Sequence, residues 1–270
     1  MNAKELLQAG QLTEAITAVT SEVKNHPTDT AHRGLLAELL CYTGDLERAD
    51  KHFDTISQQD PKTAVGVAMI RQLIRAETAR QEFYSVGRLP EFLTPPPPAL
   101  QSHLEASIAV RDGDLAKAAE LLALAEEQRP QVSGTCDDQA FDDFRDLDDL
   151  TASYFEVLTS TGKYYWIPFE NVDSLEFHPP ERMRDLLWRR VSMSVRGGPD
   201  GEVFLPTLYA GTSTNEDDRV RLGRATLWSE TGSPIRGTGL RTWLIGDNDV
   251  TIMQPQSITF QSANEVDVES

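Results

Sequence analysis

Gly44-Asp45-Leu46-Glu47-Arg48-Ala49, with Pro61 following seventeen residues after the glycine, is the stretch that decides the fold of the first half. The same spacing occurs twice more: Gly10-Gln11-Leu12 leads to Ala15 and Pro27, and Gly113-Asp114-Leu115 leads to Ala118 and Pro130. The alanine lies five residues after each glycine and the proline seventeen. The first two units are offset by 34 residues and the third by 69 from the second, one more than two periods. The glycine suits a helix C-terminus, where a positive φ costs it least. The leucine and small alanine begin a second helix that can approach the first closely, and the proline stops it. The spacing therefore predicts stacked helix pairs, with Phe53 and Leu122 filling the layer below.

This pattern resembles the tetratricopeptide repeat, a 34-residue helix–turn–helix. The first helix of the middle unit is expected at about Thr30–Thr43, with Leu35, Leu36, Leu39 and Leu40 as its apolar stripe. The first unit departs from the pattern because few residues precede Gly10. Ala64–Glu82 reads as a helix, either a decayed repeat or a spacer. Pro95–Pro98 reads as a stiff connector before a helix near Ala99, rather than as a polyproline ligand.

Residues 131–150 change character. Asp137, Asp138, Asp142, Asp143, Asp146, Asp148 and Asp149 stand against Arg145 alone, so a third of the chain's net charge of −18 falls in twenty residues. Three readings stay open: solvated surface with a helix entry, a docking patch for a basic segment, or a hard-cation site that would serve a metal-dependent enzyme. The D-x-[DN]-x-[DN]-G spacing of a calcium loop is absent. Beyond residue 150 the period becomes two. Strands are expected at Tyr154–Thr159, Lys163–Phe169, Val191–Arg196, Val203–Leu208, Leu222–Trp228, Leu240–Ile245 and Ile258–Phe260, with one short helix at Glu181–Trp188. The expected fold class is α+β: an all-α, tetratricopeptide-like N-terminal repeat domain and a mainly β C-terminal domain with a short helix. The boundaries read as 1–135 for the helices, 136–150 for an acidic connector, 151–260 for the β domain and 261–270 for an acidic tail.

The chain has 270 residues, 25 basic and 43 acidic, which argues against binding a phosphate backbone or an anionic membrane. No run approaches the ~18 apolar residues of a membrane span, and the N-terminus shows no signal pattern, so a cytoplasmic location is expected. Cys41 and Cys136 lie 95 positions apart and predict two reduced thiols. None of the five histidines forms a metal-ligand pair, and no nucleophile elbow or phosphate loop is present. The expectation is a non-catalytic protein with no cofactor and no metal.

A solenoid of helix pairs offers a groove for an amphipathic helix or peptide. Its lining is expected from first-helix positions outside the stack: Lys4, Gln8, Glu38, Cys41, Tyr42, His103, Ser107 and Arg111, with Tyr42 as the anchor. In the second half, Tyr164-Tyr165-Trp166-Ile167-Pro168-Phe169-Glu170, Pro179-Pro180 with Arg184-Asp185-Leu186-Leu187-Trp188, Val203-Phe204-Leu205-Pro206-Thr207-Leu208-Tyr209, Arg221-Leu222-Gly223-Arg224 and Arg236-Gly237 with Gly239-Leu240-Arg241 resemble the ImpE family, also called TagJ or SciE-type. With the repeats, the resemblance covers roughly residues 1–260. It implies an accessory component of the bacterial type VI secretion system that binds the N-terminal helix of the small sheath subunit and is linked to sheath recycling by the ClpV unfoldase, an AAA+ ATPase.

Overall fold

The structure, a computed structural model, describes residues 2–229 and 234–261. The helices are α1 (Ala3–Gln8), α2 (Leu12–Asn25), α3 (Thr30–Tyr42), α4 (Leu46–Gln59), α5 (Ala64–Val86), α6 (Pro98–Asp112), α7 (Leu115–Gln128) and a short α8 (Asp218–Arg221). Gly10, Gly44 and Gly113 follow α1, α3 and α6 with φ of 78°, 72° and 80°. Leu12, Leu46 and Leu115 each open the next helix, and α2, α4 and α7 end just before Pro27, Pro61 and Pro130. Asp45 and Asp114 add N-caps by accepting the backbone N–H of Arg48 and Lys117. The expected helix at Ala64–Glu82 runs on to Val86, because Phe83 belongs to the core and Gly87, at φ 80°, supplies the stop.

The strands are β1 (Gly134–Cys136), β2 (Gln139–Phe141), β3 (Phe144–Asp146), β4 (Tyr154–Leu158), β5 (Tyr164–Pro168), β6 (Val172–Phe177), β7 (Trp188–Val195), β8 (Asp200–Pro206), β9 (Thr226–Trp228), β10 (Gly237–Gly239), β11 (Thr242–Ile245), β12 (Asn248–Thr251) and β13 (Ser257–Phe260). Eight form one antiparallel sheet in the order β2-β1-β13-β6-β7-β8-β4-β5. β12-β11-β3 and β10-β9 make two smaller sheets. At the outer edge of β5, Glu91 forms a single parallel bridge: its N–H donates to Tyr164 O at 2.9 Å and its carbonyl accepts from Trp166 N at 3.1 Å.

The α+β class is as expected; β6, β10 and β12 were not among the expected strands, and three further local differences stand out. The short helix expected at Glu181–Trp188 is a 3-10 turn, Met183–Leu186, because Trp188 is drawn into β7. The strand expected at Leu222–Trp228 is confined to β9, since α8 ends in a turn through Gly223 at φ 68°. The acidic stretch contains three short strands that no periodicity announced. The expected acidic tail lies, from residue 262 onward, outside the described residues.

Alternation along β4 connects the layers. Phe155 and Val157 enter a core with Phe144, Ile167, Val191, Trp243 and Ile258. Tyr154 and Leu158 point the other way, joining Trp166, Trp188 and Phe204 in the cluster that holds Leu36, Leu40, Leu73 and Phe83 of the helices. One continuous apolar cluster therefore runs from α1 to the sheet. Trp166 stacks on Tyr154, ring centroids 3.9 Å apart, and takes Phe83 edge-on at 4.8 Å.

Candidate functional site

Glu156, the middle residue of β4, faces the helices from within an apolar strand and is 2% exposed. Arg80 of α5 forks onto it, Nε to Oε1 at 2.9 Å and Nη2 to Oε2 at 3.0 Å. The hydroxyls of Tyr84 and Tyr164 donate to the same carboxylate at 3.0 and 2.6 Å, and Arg241 completes it with Nη2. Arg241 Nη1 continues to Asp146 at 2.7 Å, which also accepts from Tyr209 at 2.8 Å. On the other side, Arg80 Nη1 reaches Glu77 at 3.1 Å and Trp188 Nε1 donates to Glu77 at 3.2 Å. Burial alone would raise the Glu156 pKa, yet the guanidinium groups of Arg80 and Arg241 hold it at about 2. Asp146 is pushed up to about 6 by burial against the pull of Arg241. Glu77 is raised by burial, with Arg80 opposing.

Such a network is stable only while every member keeps its partner. Its glycine neighbour is constrained in the same way: a Cβ on Gly237 would lie 2.4 Å from the Tyr209 ring. Next to the network, between α3, α5 and the Pro206–Thr214 segment, lies a cavity of about 310 Å³.

The residues expected to line a groove for a partner mostly face this seam instead. Tyr42 is 1% exposed and donates its hydroxyl to Met183 O at 2.7 Å. Glu38 accepts from Arg184 Nη1 at 2.9 Å, and the Cys41 thiol is buried against Ala37 O. Ser107 donates to Leu104 O, and Arg111 donates to Phe83 O at 3.1 Å. His103 is 1% exposed, lies edge-on to Tyr154 at 5.4 Å, and has no partner for either ring nitrogen among the described residues. Burial, followed by the charge of Arg145, lowers its pKa to about 3. Only Lys4 and Gln8 of the eight remain exposed. The physical reason is that the 3-10 turn and strand β7 occupy the side of α3 that a partner would have used.

The acidic run divides similarly. Asp137 and Asp138 sit in the tight β1–β2 turn with positive φ and are exposed, as is Asp142. Asp143 is bound by both Arg129 Nη groups, at 2.8 and 2.5 Å. Asp148 accepts from Arg236 at 2.9 Å and from the N–H of Gly237 and Leu150. Asp149 accepts from Arg145 at 2.9 Å and from Ile235 N at 2.7 Å. With Asp146 held by Arg241 and Asp137 accepting the N–H of Gln256 and Ser257, a seven-carboxylate docking patch does not assemble: five of the seven are tied down internally. Among the described residues, no three His, Cys, Asp or Glu side chains converge as a metal would require.

Glu77, Arg80, Glu156 and Arg241 were not singled out as site residues from the sequence. The signal was present in Glu156, a lone charge at the inward period of an apolar strand. The motif residues Tyr164, Trp166, Trp188, Tyr209 and Arg241 all converge on this seam.

A helical layer closed by the chain's own antiparallel sheet through a buried ion network defines the class of protein. Residues 138–259 match the family model described as ImpE protein. The chain is 28% identical to the type VI secretion system accessory component TagJ of Pseudomonas aeruginosa, over 97% of this chain and 92% of that protein. A crystal structure of protein VPA1032 from Vibrio parahaemolyticus superposes with a TM-score of 0.91 at 27% identity, covering 98% of this chain and 99% of the other. The resemblance to the ImpE family read from the sequence is borne out over residues 138–259, the part of the chain that the family model matches. No helix among the described residues is long and apolar enough to cross a membrane.

Proposed function

We propose that this protein is an accessory component of a type VI secretion system that works as an adaptor, taking the N-terminal helix of the small sheath subunit and assisting sheath assembly or ClpV-dependent recycling. The observation that carries this reading is the relationship to TagJ, which runs through both the helical layer and the sheet. The seam supports an adaptor by its construction: Arg80, Arg241, Asp146 and Glu156 are consumed in holding the two layers together. We assign the contact surface to α1, where Lys4 and Gln8 are exposed.

The test is capture of the full chain on the immobilised N-terminal helix of the small sheath subunit from the same bacterium, with purified ClpV as a second bait. Retention on the sheath helix is expected, and Lys4→Glu with Gln8→Ala should weaken it about tenfold at unchanged thermal stability. Unchanged retention moves the contact away from α1. No retention of the unmodified chain defeats the adaptor reading.

A further inference from the structure

The buried network holds one carboxylate more than it has cations. Arg80 and Arg241 stand among Glu77, Asp146 and Glu156, all 7% exposed or less, while Arg236 is matched by Asp148. The surplus falls on Glu77. Arg80 turns its Nε and Nη2 to Glu156 and leaves Glu77 a single contact at 3.1 Å, beside the Trp188 indole at 3.2 Å. A carboxylate has about four acceptor sites, so half of its capacity is open.

Glu77 lines the cavity of about 310 Å³, at the lower end of the size range of small-molecule sites. Four aromatic side chains wall the same cavity, Tyr42, Tyr84, Trp188 and Tyr209, beside Arg80, whose Nε, Nη1 and Nη2 are already engaged by Glu156, Glu77 and Leu208 O. Each has its polar tip engaged elsewhere: Tyr42 with Met183 O, Tyr84 with Glu156, Tyr209 with Asp146 and Trp188 with Glu77 itself. What they offer a guest is therefore ring surface. Aromatic rings around one buried, under-neutralised carboxylate select a positive guest. An anion would meet the Glu77 charge, and a neutral apolar guest would strand that carboxylate without a partner. We propose that this cavity binds one monovalent organic cation, an alkylguanidinium or alkylammonium group, with Glu77 as counter-ion and the four aromatic residues as its cage. The site goes beyond the adaptor reading and does not depend on it.

Burial raises the affinity of Glu77 for a proton, so a proton and a cationic guest compete for the same carboxylate. The other titratable or charged groups around Glu77 are Arg80 and Tyr84 from its own helix, Cys41 and Tyr42 from α3, Glu156 from β4, and Tyr209 from the segment after β8. A cationic guest displaces the proton, so binding strengthens as pH rises.

The experiment is titration calorimetry of the full chain with butylguanidinium and with its neutral isostere N-butylurea, at pH 8 and pH 6. Butylguanidinium should saturate one site, more tightly at pH 8, and N-butylurea should give no saturation. Glu77→Gln should weaken butylguanidinium at least about tenfold. Ser85→Phe, at an exposed position of the last turn of α5 on the cavity wall, should do the same while leaving every network residue in place. A blocked Gly-Arg-Gly peptide binding as well as butylguanidinium identifies the guest as an arginine side chain of another polypeptide; binding of butylguanidinium alone identifies a free small cation. Equal binding of N-butylurea, undiminished binding in a folded Glu77→Gln or Ser85→Phe variant, or no saturation below roughly 10 mM overturns the proposal.

Discussion

In the helical layer, the packed faces of α2, α4 and α7 are small and aliphatic except for Phe53: Leu12, Ala15 and Val19, then Leu46, Ala49, Phe53 and Ile56, then Ala118, Leu121 and Leu122. The sheet face opposite is aromatic and charged, with Tyr154, Glu156, Tyr164, Trp166 and Trp188. Helix-to-helix contact asks mainly for volume, which many aliphatic combinations supply. Contact with the sheet asks for partners of fixed geometry, because each buried charge left alone costs several kcal/mol. The two regions should therefore respond differently to substitution, with the sheet side the less forgiving.

The strongest way to break this comparison is Glu156→Gln. Removing one charge from a carboxylate held by two guanidinium groups should lower unfolding free energy by about 3–5 kcal/mol, read from urea denaturation. A loss below about 1 kcal/mol would mean that the seam is no more demanding than the helix packing. The contribution also has a pH signature. Glu156 titrates at about 2 when folded, against an ordinary 4.5. Its stabilisation is complete above pH 4.5 and is lost as pH falls toward 2.

His103 sharpens the comparison from the helical side. Its folded pKa of about 3 lies below the ordinary 6.5, so the unfolded chain takes up the proton first on acidification. Stability falls with pH through this window, by about 2 kcal/mol between pH 6.5 and 5. His103→Leu should abolish that loss and add up to about 1 kcal/mol at neutral pH, since its ring nitrogens have no partner to lose. Urea midpoints at pH 7 and pH 5 decide it; an unchanged pH dependence would show that another group governs acid sensitivity.

The smallest effect separates two glycines of the repeat. Gly44→Ala and Gly113→Ala both force a side chain into positive φ, at about 1 kcal/mol each. The new Cβ at Gly44 would meet Ser213 Oγ at 3.0 Å, whereas at Gly113 nothing lies within 4 Å. Gly44→Ala should therefore lower the melting temperature further, and equal shifts would show that Ser213 yields freely.

The helix pairs were legible because their start and stop signals lie inside the segments they control: a glycine before each second helix and a proline after it. Strands β4, β5, β7 and β8 were legible through alternation. β1, β2 and β3 were not, since each is three residues long: β1 and β3 owe their existence to β13 and β11, about a hundred or more residues away, and β2 only adds to the edge of β1. The acidic run misled for the same reason. Asp146 and Asp148 look solvated when charge is read locally, but their partners Arg241 and Arg236 lie 95 and 88 residues on. The groove residues were assigned to a partner by analogy with an open solenoid. Tyr42 and Glu38 are instead covered by Met183 and Arg184 of the same chain, a relation no repeat spacing encodes.

The bridge made by Glu91 has a consequence for how molecules of this protein meet. A sheet of eight strands ends in a row of amides that invites another copy to extend it. Here the connector after Gly87 hems that border with a single residue, pinned by Lys163 Nζ at 2.7 Å from its carboxylate. Ribbon-like growth from one subunit to the next is blocked on this flank before it can begin.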